Sequence, residues 1–344
     1  MPSPRFVHLR FHSEYSITDG IVRIDPMIHA VLEGGGAAVG ITDLMNVFGG
    51  LRFYTHALAA GLKPILGCDL KVINPKDLNK PFRLGVLCMN HEGYHSLSVL
   101  LTKAFLTNND AARGLVDPKW FDDGGSEGLI ALSGAAQGEL GSLLLGKKWA
   151  LAHEAAERFK AQFPGRFYVE LQRAGRPTDE LATARLANFA VEEQLPVVAT
   201  HPIQFLKPED FEAHEVRCSI AEGYTLQDPR RVKRYTPEQY LKSEAEMCEL
   251  FADIPAAIEN TVEIAKRCNL DGVLSKPQLP LFPTPDGMSL DDYIDQLSKE
   301  GLQKRLEFLY PDPKVLEEKR PPYDKRLEYE LGIIKGMKFP GYFL

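Results

Sequence analysis

His12 and Asp19 are the first residues of this chain whose types and spacing could do chemistry. A short apolar run, Phe6 to Phe11, leads straight into His12 and then into a polar stretch ending at Asp19. Strand ends of this kind hold metal ions in many hydrolases, where two imidazoles in a His-x-His pair grip one ion from a rigid backbone. Here the position two before His12 is Arg10, a permanent cation with donors only, which cannot ligate a metal. The segment reads as a metal site in which one ligand is replaced by a charge that repels metals. How much of the remaining site is present decides what the chain does.

The elements that would position such a site follow from periodicity. Between residues 5 and 205, seven short apolar or β-branched runs read as buried parallel strands: Phe6–Phe11, Ala37–Thr42, Pro64–Leu70, Arg83–Met89, Gly128–Leu132, Arg166–Leu171 and Leu195–Thr200. Helical patterns separate most of them, as in Leu51–Ala60, Tyr94–Phe105, Lys148–Phe163 and Thr178–Glu193. Alternation of strand and helix implies βαβ crossovers, and seven repeats suffice to close an α/β barrel, with a doubly wound open sheet as the alternative. In a barrel the strand ends converge on one face, which would gather His12, Asp43, Asp69, Asn90, Ser133, Glu170 and His201.

Beyond residue 206 the pattern turns helical, with a capping box expected at Ser243 and Glu246 and an amphipathic helix over Pro255–Arg267. Residues 271–288 hold a proline-rich stretch that reads as a linker, followed by helices over Ser289–Leu309 and Tyr323–Met337 that the proline-rich 319–323 separates. The final Phe339-Pro-Gly-Tyr-Phe-Leu344 is an aromatic run without a polar tail, and reads as the cut edge of a longer protein.

Composition bounds the alternatives. The chain is 44% hydrophobic and 25% charged, an ordinary soluble globular balance. A net charge of −7 gives no overall attraction to nucleic acid. The five cysteines are scattered without a C-x-x-C pair and read as reduced, buried thiols of a cytosolic protein. No apolar run reaches the roughly 18 residues a membrane span needs. Glu33-Gly-Gly-Gly36 lacks the Lys-Ser/Thr of a phosphate loop.

Several collinear segments carry a family resemblance. Phe6-Val-His-Leu-Arg-Phe-His-Ser-Glu-Tyr-Ser-x-x-Asp-Gly, Gly40-Ile-Thr-Asp43, Lys63-Pro-Ile-Leu-Gly67, Leu195-Pro-Val-Val-Ala-Thr200, Met247-Cys-Glu-Leu-Phe-Ala-Asp-Ile-Pro255, Asn260-Thr-Val-Glu-Ile-Ala-Lys-Arg-Cys268 and Phe339-Pro-Gly-Tyr-Phe-Leu344 together resemble the α-subunit family of bacterial replicative DNA polymerase III. The resemblance implies that residues 1–270 form a PHP (polymerase and histidinol phosphatase) domain. Its core over about 5–205 would be a distorted seven-stranded β/α barrel, with a helical extension over 206–270; residues 289–344 would begin the polymerase palm.

Metal-binding members of that family place nine ligands on the barrel's C-terminal face. Carried onto this chain, the positions fall on Arg10, His12, Asp19, Leu44, Asp69, Arg83, the neighbourhood of Gly134 or Ala135, and Pro202 and Gln204. Only His12, Asp19 and Asp69 retain a ligand type, enough for one ion at most. Arg10 and Arg83, if turned inward, could satisfy the remaining carboxylates by charge-assisted forks, so that salt bridges replace metal-mediated links. The resemblance implies no metal or cofactor for this piece, with Mg²⁺ held by palm acids that lie downstream. Asp286, Asp291 and Asp292 sit at a linker and helix start and read as capping instead.

The expected role is therefore structural. This piece would dock the proofreading exonuclease subunit within a cytoplasmic, nucleoid-associated replicase whose DNA contacts lie in other domains, with no membrane involved. A weak one-metal phosphoesterase at His12, Asp19 and Asp69, acting as 3′–5′ exonuclease or pyrophosphatase, is the enzymatic alternative. A sugar- or nucleotide-binding barrel outside replication is the third.

Overall fold

The computed structural model describes residues 5–107, 114–272, 279 and 281–344. They divide into two compact units, Met1–Leu274 and Ser275–Leu344. The first contains one six-stranded sheet in sequential order: β1 (Ala38–Ile41), β2 (Lys63–Val72), β3 (Phe82–Cys88), β4 (Leu129–Leu132), β5 (Phe167–Gln172) and β6 (Val197–Thr200).

Two expectations about this sheet need correction. Phe6–Phe11 is not a regular strand. It contributes single parallel bridges, His8 to Val39 of β1 and Phe11 to Ile203 beyond β6. Backbone bonds run from Gly40 N–H to the His8 carbonyl (2.8 Å) and from His12 N–H to the Ile203 carbonyl (3.1 Å). Nor is the sheet all parallel, because β3 runs antiparallel to both β2 and β4. The reason is length: only residues 73–81 separate β2 from β3, whereas a parallel crossover takes a dozen residues or more. The reversal matters for the site. It brings Arg83, at the start of β3, to the edge where its parallel neighbours end, and carries Asn90 to the opposite edge, where its side chain accepts the Gly93 N–H (3.0 Å) at the start of helix His91–Thr107.

Strand alternation then sorts the residues into layers. The register pairs Gly67 with Leu87 and Asp69 with Gly85 across β2 and β3, then Leu87 with Ile130 and Gly85 with Leu132 across β3 and β4. One sheet face thus stacks an apolar layer below a polar one. Ile65, Leu87, Ile130, Leu132, Tyr168 and Val198 form a buried cluster with Val7 and with Ile264 of helix Pro255–Arg267. Asp69, Glu170 and Gln172 follow one or two pleats further along. The other face is covered by the first unit's helices, whose apolar sides complete a large core around Phe121, Phe159, Phe163, Phe189 and Phe251. The expected capping box forms: the Ser243 hydroxyl accepts the Glu246 N–H (3.3 Å) and Glu246 accepts the Ser243 N–H (2.7 Å).

In the second unit, helices Leu290–Leu309 and Pro313–Gly336 pack together, with Lys335 paired to Asp295 at 2.9 Å. The separation expected at 319–323 is absent, since one helix runs through Pro321 and Pro322. Those prolines lie on exposed turns, where the carbonyls they leave without an N–H partner remain open to water. Ser289 caps the first of these helices by accepting the Asp292 N–H (3.1 Å). Of the expected linker 271–288, residues 273–278 and 280 lie outside the described residues.

Candidate functional site

The polar layer surrounds a cavity of about 70 Å³ at the strand ends. Arg10, His12, Asp19, Asp69, Arg83, Pro202 and Gln204 all line it. Leu44 does not; it lines the adjoining groove and bridges Asp69 through its backbone.

Arg10 occupies the centre. Its Nη1 donates to both carboxylate oxygens of Glu170 (2.8 and 2.9 Å), and its Nη2 lies 2.7 Å from Asp69 Oδ2. Gly85 of β3 lies against this guanidinium, a Cβ there falling 3.5 Å from Arg10 Nη1, an ordinary van der Waals contact. Glu170, fully buried, also accepts from the Gly134 N–H (2.9 Å), Gln172 Nε2 (3.1 Å) and the Thr200 hydroxyl. No lone pair of Glu170 is left over for a metal.

His12 and Asp19 form the second half. Asp19 Oδ2 accepts from His12 Nδ1 and from the Tyr235 hydroxyl, each at 3.0 Å, while Oδ1 accepts from the Ser16 hydroxyl (2.7 Å). His214 Nε2 holds the Asp19 carbonyl at 2.8 Å. The other nitrogen of His12, Nε2, faces Asp69 Oδ2 at 3.4 Å. Burial alone would push the His12 imidazole down, but the two carboxylates outweigh it and hold the ring up at about 9. Asp19 and Asp69 are correspondingly held far below the usual carboxylate range: burial opposes this, but His12 outweighs it for Asp19, and Arg10, Arg83 and His12 do so for Asp69. Gln204 Nε2 lies 3.3 Å from His12 Nδ1, the nitrogen that also faces Asp19 Oδ2.

Arg83 Nη1 reaches Asp69 Oδ2 at 3.4 Å from the reversed strand. Pro202 contributes its carbonyl, which accepts from Gln239 Nε2 (3.1 Å). Leu44 donates its backbone N–H to Ser16 Oγ (3.0 Å), steadying the hydroxyl that holds Asp19.

This donor set does not fit a divalent ion. Both His12 nitrogens are turned to carboxylates, Glu170 is saturated, and a guanidinium stands among the acids. Asp69 Oδ1 is the one carboxylate oxygen of the cluster without a hydrogen-bond partner. One free oxygen falls well short of the four donors a zinc-type site needs. Among the described residues, no group of three or more histidine, cysteine or acidic side chains is disposed to hold a metal.

The other strand-end residues divide. Asp43 accepts from the Ser13 N–H (2.6 Å) and the Ser13 hydroxyl (2.8 Å), and burial pushes its carboxyl up to about 6 against those bonds. Ser133 Oγ accepts the Glu170 N–H at 2.9 Å. His201 is buried, neutral and outside the cavity lining, with burial pushing it down to about 3. His8 Nε2 donates to the Lys242 carbonyl (2.7 Å), which selects the tautomer protonated at that nitrogen. Tyr235, Arg176 and Arg234 join the cavity wall without any signal in the sequence, since they come from loops. The five cysteines carry no disulfide.

Residues 8–174, which carry Arg10, His12, Asp19, Asp69, Arg83 and Glu170, match the PHP domain. Over its full length the chain is related to DNA polymerase III subunit alpha. It is 49% identical to that protein of Neisseria meningitidis over 346 aligned residues, covering 100% of this chain and 30% of the relative. It is 45% identical to that of Escherichia coli K12, again covering 100% of this chain and 30% of the relative. The chain thus spans about 30% of the length of the curated relatives it matches. A solved amidohydrolase from Chromobacterium violaceum is 12% identical with a TM-score of 0.39, covering 58% of this chain and 87% of that one. No described helix is long and apolar enough to cross a membrane.

Proposed function

We propose that this chain is the PHP-containing first part of a replicative DNA polymerase α subunit, and that its barrel serves structure and docking and not hydrolysis. The observation that carries the reading is Arg10: at a position where metal-binding members of the family place a histidine, it is instead bound to Asp69 and Glu170. A metal hydrolase must fix its ions and hold a water between them; here the anchoring groups spend their lone pairs on guanidinium and imidazolium donors. We read the sheet with the 6–12 segment as a seven-membered barrel whose ring of contacts passes through His8 and Phe11. DNA synthesis belongs to the whole protein, through palm acids and Mg²⁺ outside this chain. The partner we assign is the proofreading exonuclease subunit, in a cytoplasmic, nucleoid-associated replicase.

The test is a sizing-column experiment on the chain with the exonuclease subunit, paired with phosphate-release assays against DNA ends and pyrophosphate in Mn²⁺ or Zn²⁺. Co-elution with no metal-dependent release supports the reading. Release that disappears in His12→Ala would replace it with the one-metal phosphoesterase.

A further inference from the structure

Helix Phe211–Glu222 has two unlike faces. The inner one buries His214, Glu215, Cys218 and Ser219, and the acids Glu215 and Glu222 are turned to Arg231 and Arg234 (3.0 and 3.2 Å). The outer face carries Ala213, Val216 and Ile220, three and four positions apart and all exposed, Ile220 by 68%. That spacing is the ridge by which one helix packs against another.

Arg217 stands beside this ridge. Its Nη2 donates to the Ile17 carbonyl, and its Nε is buried without a partner. The residues three and four positions away along the helix are Ala213, His214, Ile220 and Ala221, none of them acidic. Among the described residues Arg217 forms no ion pair, although it is half-buried. A guanidinium in that state is an anchor for a carboxylate from outside, and arginine is enriched where proteins meet.

The bond to Ile17 widens the face. Ile17 is 58% exposed on the turn between Ser13 and Gly20. On that turn's other flank, Asn46 Nδ2 donates to the Tyr15 carbonyl (3.0 Å) and Asn46 Oδ1 accepts the N–H of Phe48, itself 67% exposed. Single exposed apolar side chains are ordinary. Four large ones from three segments, gathered about one cation without an acid, mark an interaction surface.

We propose that this face docks a helix of a partner protein, with its apolar side chains on Val216, Ile220 and Ile17 and one of its carboxylates on Arg217. The inference locates the docking role proposed above and rests on it, the partner being the exonuclease subunit.

The experiment measures the affinity of the full chain for that subunit by calorimetric titration, with sedimentation of the chain alone. Ile220→Asp and Arg217→Glu should each weaken binding tenfold or more. Val191→Asp, equally a charge at an exposed apolar position (79%) but on helix Asp179–Glu192, should leave it unchanged. Melting temperatures close to that of the natural chain would show that the variants keep their fold. Binding by the natural chain that survives both Ile220→Asp and Arg217→Glu, or that Val191→Asp weakens as much, overturns this surface and leaves the docking role intact. Absence of binding by the natural chain overturns both. A dimer of the chain alone that Ile220→Asp dissolves would assign the face to a second copy and overturn the proposal.

Discussion

Arg10 Nη2 and Asp69 Oδ2 lie 2.7 Å apart, with both side chains almost entirely removed from solvent. The same guanidinium forks onto Glu170, so one cation from the irregular first segment links β2 to β5 across the end of the sheet. A buried ion pair is poor evidence for net stability, because desolvation offsets much of the attraction. Its removal on one side only is a different matter.

Arg10→Met leaves Asp69 and Glu170 buried without their main counter-charge. The expected loss is about 3–5 kcal/mol, read from urea denaturation. Adding Asp69→Asn and Glu170→Gln to Arg10→Met removes the stranded charges and should recover a large part of that loss. If the triple variant is no better than Arg10→Met, the loss comes from packing and the electrostatic account is wrong.

His12 gives the site a pH signature. Its folded value of about 9 lies above the ordinary 6.5. A raised value means the fold binds the proton more tightly than the unfolded chain does. The stabilisation is therefore complete below about pH 6.5 and fades as pH rises through 9, amounting to roughly 3 kcal/mol for the coupled His12–Asp19 pair. Asp19 and Asp69 work in the opposite sense, losing their contribution as pH falls below the ordinary carboxylate range. Melting temperature should fall from pH 7 to pH 10, and His12→Asn should flatten that limb. A wild-type limb that is already flat would mean His12 is neutral.

The sequence made part of this legible. The order of the six strands and their helices and the odd Arg10 before His12 follow from local pattern, while β2 and β5 run on to Val72 and Gln172, past the expected ends at Asp69 and Glu170. The direction of β3 was readable in principle from the short 73–81 link, but apolar content alone does not distinguish parallel from antiparallel. Tyr235 could not be found this way. It meets Asp19 across 216 residues from a segment without regular structure, so no periodicity marks it. Glu170 is visible in the sequence as a strand end, but its role depends on register: Glu170 opposite Val198 and Gln172 opposite Thr200 bring the hydroxyl and amide onto its oxygens.

Gly134 tests how firmly Glu170 is held. Its φ of +80° belongs to the left-handed region, and a Cβ there would lie 2.1 Å from the Arg83 carbonyl oxygen. Gly134→Ala must displace either the N–H that serves Glu170 or the start of β3 that carries Arg83. We expect a loss of more than about 2 kcal/mol, the strained backbone position and the clash with the Arg83 carbonyl both contributing. A change under 1 kcal/mol would show that this loop relaxes freely.

Tyr235→Phe isolates the clasp over Asp19. The hydroxyl donates to Asp19 Oδ2 at 3.0 Å, while the ring packs edge-on against His214 at 4.6 Å between centroids. Removing only the oxygen keeps the ring contact and should cost about 1–2 kcal/mol, since the acceptor is charged. Proteolysis within 224–243 should quicken at the same time. Unchanged cleavage would mean the segment is held by Arg231 and its bonds to Glu215 and Leu226.

Reversing the charge exchange should bring a metal back. Arg10→His, Leu44→His, Arg83→His and Gln204→His together place imidazoles at four positions where the resemblance puts ligands, beside His12, Asp19 and Asp69. The price is Glu170, which loses Arg10 and keeps only neutral donors. The variant should therefore be less stable than the natural chain in EDTA. Added Zn²⁺ then binds the folded form, and at a hundred times its dissociation constant contributes about 2.7 kcal/mol. The natural chain should show no such rise, because the guanidiniums of Arg10 and Arg83 stand beside the same carboxylates. Equal Zn²⁺ responses in the two proteins would show that Arg10 does not exclude the ion, and would return His12, Asp19 and Asp69 to the role of ligands.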